Sequence, residues 1–414
     1  MSSRDYELRK LIDSSTHRLI NSDMLNRRLL RSKAVQALYA SKIAAEANRL
    51  LANDEIAEAY LPDLNSMLPQ NHERLEGLKR LALLSLDDLI KKGELNPDED
   101  VPTEAIQTAR QAYEGYKKQN QKDRHAIVNR VLKETEGIYD EFLYVLSLLL
   151  ELAHQAQLDR ERVLRAVPED AEAVFPIVSG LDTNSVIQLL KAHEPLEVDL
   201  IRKGISWSNE MAVVRKTYRE ALKADPEYTE YCRVKEHTAV EDQKMVQHVL
   251  RNIVLKHEIP VEHFEQQDMY WEEHFEIIRN MAIKTIKWAD TGKIQLSELT
   301  DDWDEDRVFV EELFKKAIEN DAQYEEYLSE QLKNWDPERI ALLDMIIMKA
   351  ALAELIHFPS IPVKVTINEF IEIAKRYSTL KSGKFVNGNL DRLTEKLTKE
   401  GVIRKSGRGL IDNK

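Results

Sequence analysis

Arg27, Arg28 and Arg31 stand close together in the segment RRLLRSKAVQALY, residues 27–39. On a helix that advances about 100° per residue they fall within about 100° of arc, so one face presents three guanidiniums. A guanidinium holds five donors in a planar fork, grips phosphate oxygens two at a time and stacks on an unpaired base. That is chemistry for a polyanion, above all single-stranded nucleic acid. The plain alternative is a solvated helix face, and spacing by itself leaves both readings open. A second candidate pair is Lys384 and Phe385, near the start of a C-terminal helix. Exposed N–H groups there favour anions, and an accessible aromatic stacks a splayed base; the other reading sends Phe385 into the core. Lys33 lies on another side of its helix and reads as solvated. Asp344, inside an apolar run, reads as a cap or internal partner rather than a catalytic acid.

Enzyme motifs do not form. Gly383-Lys384 has no earlier glycine at P-loop spacing and no Ser or Thr after the lysine. His257-Glu258 is followed by His263 rather than by a histidine one turn on, and Pro260 interrupts the run. No GxSxG elbow and no glycine-rich dinucleotide loop occur. The expectation is a non-enzyme with no cofactor and no metal.

Charge is unevenly distributed. The 414 residues carry a net −14. Residues 1–42 hold a net +5 and residues 361–414 a net +6, which leaves −25 for the middle. Two basic ends around an acidic centre make one cationic face if the fold brings the ends together. Otherwise the charge belongs to solvated helix faces. The lone Cys232 excludes an internal disulfide and suits a reducing cytoplasm. The charged N-terminus does not read as a secretory signal, and the apolar stretch Phe142–Ala153 is too short to span a bilayer and reads as a buried helix.

The elements that must position these groups are helices. Gly and Pro number 12 each, few for the length, and 43% of residues are hydrophobic. Helical period predicts helices over 24–50, 72–92, 104–118 and 123–165, with Pro62, Pro69, Pro97, Pro102, Pro168, Pro176 and Pro195 at the gaps. A degenerate repeat follows: Trp207, Tyr218, Leu222, Asp225, Tyr228 and Tyr231 recur 96 residues later as Trp303, Phe314, Ile318, Asp321, Tyr324 and Tyr327. A middle copy (Val246, Leu250, Val254, Phe264, Gln267, Trp271) echoes Val310, Phe314, Ile318, Leu328, Gln331 and Trp335. Near the C-terminus, Asp336-Pro337 reads as the start of an apolar core helix. Thr366 and Glu369 then read as a capping box. A last helix starts near Ser382–Phe385, with Gly388 at a close helix contact.

Residues 334–393, NWDPERIALLDMIIMKAALAELIHFPSIPVKVTINEFIEIAKRYSTLKSGKFVNGNLDRL, resemble the C-terminal half of the NusB family. The hallmarks are Pro362-Val363-Lys364-Val365, Ile367-Asn368-Glu369, Ala374-Lys375, and Ser382-Gly383-Lys384-Phe385-Val386-Asn387-Gly388 with Leu390-Asp391. Residues 27–39 are similar to the family's Arg-rich first helix. Two positions depart from the pattern: Lys381 stands where an acid is usual, and Leu29 interrupts the arginine run. The resemblance implies an all-α NusB-like helical bundle with an inserted helical region containing degenerate repeats. Its ranges would be an extension and first helix at 1–45, an insert at 46–206, repeats at 207–302 and the NusB-like domain with a basic tail at 303–414. It also implies an RNA-binding transcription antitermination factor in the bacterial cytoplasm. Such a factor pairs with the ribosomal protein NusE on boxA-type single-stranded RNA, especially ribosomal RNA transcripts, within the RNA polymerase antitermination complex. Arg27, Arg28, Arg31, Lys384 and Phe385 would be the RNA contacts. The other function class left open is a non-catalytic protein-interaction scaffold on the same fold, with the acidic insert recruiting partners.

Overall fold

The computed structural model of the chain describes residues 27–63, 65, 71–95, 101–166, 179–289, 292–332, 341–379 and 381–413. Among the described residues there are fifteen α-helices and no strand. The chain divides into two compact units, one of residues 134–303 and one of residues 27–133 with 304–414.

Helix α1 runs Arg27–Ala59, α2 His72–Lys92 and α3 Thr103–Ala166. Asn71 starts α2 by accepting from the Arg74 amide, and Gly93 ends it at φ 78°, a left-handed angle that suits glycine. The two helices expected at 104–118 and 123–165 are one helix of 64 residues. Neither Pro nor Gly falls between them to break the ladder, and Asn120 in that stretch is buried, accepting from Asn48 Nδ2 at 2.8 Å. Ile56, Tyr60, Leu78, Leu86 and Leu89 meet Ala105, Ala109 and Ala112 of α3 in one apolar cluster. The small alanines let the three helices approach closely.

In the unit of residues 134–303, the apolar stretch of α3 is buried as expected, Phe142, Leu146, Leu149 and Ala153 all without exposure. Around it lie α4 (Ser185–Lys191), α5 (Glu194–Lys203), α6 (Met211–Lys216), α7 (Pro226–Tyr231), α8 (Ala239–His248), α9 (Glu258–Gln267) and α10 (Trp271–Trp288). Helices α6 and α8 continue as π-helical turns, Thr217–Leu222 and Val249–Val254, which pack on each other. Trp207 stacks on Tyr144 of α3 at 4.1 Å between ring centroids, and its indole N–H donates to Ser147 Oγ at 3.0 Å.

The second unit adds α11 (Trp303–Glu319), α12 (Asp321–Gln331), α13 (Leu342–His357), α14 (Val363–Tyr377) and α15 (Ser382–Lys399). The three echoing segments each fold into a helix pair: α6 with α7, α8 with α9, and α11 with α12. Their shared aromatics serve packing, with Tyr228, Tyr231, Phe264, Phe314 and Tyr324 all buried. Trp335 and the Asp336-Pro337 helix start lie outside the described residues, as do Pro69, Pro97, Pro168 and Pro176. Helix α13 is the core helix, packed against α1, α12, α14 and α15.

Two local expectations are corrected. No capping box forms at Thr366 and Glu369, because Pro362, with φ fixed at −60°, already starts α14 and leaves Thr366 a turn inside. The close helix contact falls at Gly383, where an added Cβ would lie 2.8 Å from Lys375 Cγ, while Gly388 faces open space.

The C-terminal tail docks on the α13–α14 corner. The Ser406 amide donates to the Pro359 carbonyl at 3.0 Å, and Lys405 Nζ donates to the Phe358 carbonyl at 3.0 Å. A Cβ on Gly409 would sit 2.1 Å from the Pro359 oxygen, so only glycine fits that contact without displacing backbone. Burial pushes the Lys405 amine down from 10.5 to about 8. Below pH 8 the amine is charged in both folded and unfolded chains, and the folded one bears the full desolvation cost. Between the two values the unfolded chain binds the extra proton, so stability rises with pH. Urea unfolding should therefore show stability climbing above pH 8 in the native protein, with a shallower climb in Lys405→Met. Identical pH profiles would refute the linkage.

Candidate nucleic-acid interface

The first turns of α1 are enclosed on nearly every side: Leu29, Leu30, Arg31, Ser32, Lys33, Ala34 and Val35 are all buried. They pack against α13 and α14. Lys33, expected in solvent, has no exposure at all. An amphipathic stripe cannot be read from a segment covered all round, which is why the solvated reading failed.

The arginine triplet divides. Arg31 is 2% exposed, and its Nε and Nη2 donate to Glu354 Oε2 and Oε1 at 2.7 and 2.9 Å. Glu354, on the core helix and without exposure, takes a third bond from Thr366 Oγ1 at 2.7 Å. This guanidinium is turned inward and does not face solvent. Arg28 makes the same two-pronged contact with Glu369 of α14, at 2.7 and 2.9 Å, from a half-exposed position. The hydrogen bonds that Arg28 donates to Glu369 raise its pKa further, so the cation persists at any ordinary pH. Arg27 pairs with Glu305, approaches Asp306 at 4.0 Å and lies 4.8 Å from the Phe309 ring centroid. All three arginines thus answer carboxylates on three different helices, α11, α13 and α14.

Lys384 is exposed in the first turn of α15, and Phe385 is half-buried beside it. The core position belongs to Val386, followed by Leu390, Leu393 and Leu397. The helix start is pinned by Ser382, whose hydroxyl donates to buried Asp344 at 2.8 Å and whose amide donates to Thr379 Oγ1 at 3.2 Å. Asp344 is therefore an internal partner. Helix α14 lies against both α1 and α15. Its contacts with Arg28, at Glu369, and with Gly383, beside Lys375, stand six residues apart, about 9 Å along the axis.

Sequence reading missed a second basic surface, in the unit of residues 134–303. A groove of about 600 Å³ is lined by Arg162, Arg215, Arg219, Lys223, Tyr218 and Asp159. Arg162 and Arg215 are exposed and form no ion pair with a described residue, while Lys223 meets Asp159 at 2.7 Å. These cations come from α3 and from α6 with its π-helical extension, inside the acidic middle of the chain, where the net charge hides them.

Removing one partner of a buried ion pair strands the other charge. Arg31→Met should cost about 3–5 kcal/mol in urea unfolding, and the double change Arg31→Met with Glu354→Met should recover most of that loss. A double variant as unstable as the single one would mean that the stranded carboxylate is not the cause.

Sequence comparison agrees with this geometry. The family model described as the NusB family matches residues 272–395. The match does not reach residues 27–39; the structure is what sets α1 against the matched helices. Curated relatives carry the name transcription antitermination protein NusB. The one from Chloroherpeton thalassium is 43% identical over 104 residues, 25% of this chain and 49% of the relative. That from Salinibacter ruber is 42% identical over 105 residues, 25% of this chain and 66% of the relative. That from Methylacidiphilum infernorum is 39% identical over 139 residues, 32% of this chain and 91% of the relative. The chain thus spans about half the length of the first relative and nearly all of the third. No solved structure matches the chain. With nine-tenths of one relative covered at this identity, the chain belongs to the NusB family.

Proposed function

We propose that the protein is a non-catalytic, RNA-binding transcription antitermination factor. In this reading it works with NusE on boxA-type RNA, chiefly ribosomal RNA transcripts, within the RNA polymerase antitermination complex. The observation that carries the proposal is the attachment of the arginine-bearing helix α1 to the family-matched helices, through Arg28 to Glu369 and Arg31 to Glu354. The names of the relatives support it. Among the described residues no helix is long and apolar enough to cross a membrane, which is compatible with the proposed cytoplasmic role.

Roles divide by burial. Arg27 and Arg28 sit at the surface, where an ion pair is worth about 0–1 kcal/mol, so an arriving phosphate can displace the carboxylate at little cost. Lys384 adds a point charge and Phe385 a ring edge for an unpaired base. Arg31 belongs to the same helix face but contributes by holding α1 in place. The scaffold reading draws on one observation: every arginine of the triplet is already matched by an acid of the chain.

Fluorescence anisotropy of a labelled boxA-like RNA, against a scrambled control and with and without the cognate NusE, separates the two. Selective binding strengthened by NusE is expected. Arg28→Ala and Lys384→Ala should each flatten the log–log salt dependence by about 0.7, the increment for one single-strand phosphate contact. Absence of RNA binding by folded protein with NusE present would favour the scaffold. Unchanged slopes in both variants would remove these two residues from the interface.

A further inference from the structure

We propose that Glu141, Asp268 and His274 form a binding site for one divalent first-row transition-metal ion. The three side chains come from different elements of one unit: Glu141 from α3, Asp268 from the residue that closes α9, and His274 from the first turn of α10. One ligand atom from each lies within 4.8 Å of the others. His274 is 1% exposed, and its Nδ1 stands 3.0 Å from Glu141 Oε1 and 3.1 Å from Asp268 Oδ2.

Hydrogen bonding does not satisfy this cluster. A single Nδ1–H serves the glutamate oxygen, and Asp268 Oδ2 is buried without a hydrogen bond despite its approach to the same nitrogen. Glu141 Oε2 is likewise buried without a partner, as is His274 Nε2. Asp268 Oδ1 is occupied separately, accepting from the Tyr270 amide at 3.0 Å. Neither carboxylate forms an ion pair with a described lysine or arginine. Two acids therefore share one imidazole. Uncompensated buried charge is costly, and the remedy is a cation at the point where the three ligands converge.

The donor set and spacing suit a metal. One imidazole nitrogen and two carboxylate oxygens fit zinc, manganese or cobalt, which bind such atoms at about 2.0–2.2 Å. Adjacent ligands at a right angle around such an ion stand about 3 Å apart, the separation found here for both N···O pairs. Three protein ligands leave further positions for water. An ion here would tie the long helix α3 to the α9–α10 corner, so its effect is on the stability of this unit and is separate from RNA binding.

The test uses full-length protein stripped with chelator and titrated with ZnCl2, MnCl2 or CoCl2 by calorimetry, with thermal unfolding in parallel. One ion per chain and a raised Tm are expected. Asp268→Asn and His274→Gln should each weaken binding at least tenfold, while Cys232→Ser keeps it. For Co2+, the visible absorption of the bound ion should vanish in His274→Gln. Circular dichroism of the variants in chelator distinguishes a lost site from a lost fold, and Asp268→Asn keeps side-chain size. Overturning results are no stoichiometric ion with any of the three metals, or binding unchanged in both folded variants. A stability that depends on pH but not on metal would assign a shared proton to the site instead.

Discussion

The Arg31–Glu354 pair is the constraint on which the NusB-like part of the molecule turns. Glu354 sits on the helix that is apolar on most of its circumference, and a carboxylate there is stable only if its oxygens are fully engaged. Arg31 supplies two donors in one plane and Thr366 supplies the third. One acid thereby fixes three helices: α13, which carries it, α1 and α14. Because Arg31 stands 323 residues before Glu354 in the chain, this contact closes the domain across everything inserted between.

Around that centre the polar contacts grade outward. Arg28 and Glu369 repeat the two-pronged geometry at half exposure, and Arg27 reaches the acids at the start of α11 from the surface. The same residue type in one short run therefore does three different things, according to how much water remains. The innermost arginine positions a helix, and the outer ones hold carboxylates at the surface. Serine and aspartate do analogous work at the other end of α14, where Ser382 and Asp344 set the start of α15 and turn Lys384 outward.

The unit of residues 134–303 follows a different logic. Its core is the apolar stretch of α3, wrapped by short helix pairs whose repeating aromatics fill the gaps. Its polar residues collect in two places. One is the groove where Arg162 and Arg215 form no ion pair with a described residue, and the other is the corner of partly buried Glu141 and Asp268 with buried His274. Net charge, −25 over the middle of the chain, describes neither of them, because a sum over residues says nothing about which of them become neighbours.

Much was legible in the residues themselves. Periodicity gave α2, α14 and α15 and the buried stretch of α3, since a stripe of apolar residues repeating every third or fourth position has to be covered. The family hallmarks between Pro362 and Asp391 identified the domain because they are contiguous. Boundaries and caps were less legible: Thr366 and Glu369 have the spacing of a capping box, yet both side chains are spent on tertiary partners, Glu354 and Arg28. What the sequence by itself determined is the helical class and the kinship, both written in local order. The tertiary structure decided which arginine is buried in an ion pair and which stay at the surface, why Lys33 is buried, and where a histidine meets two acids. Those outcomes depend on pairs far apart in the chain, and only folding sets the distance and the water between them.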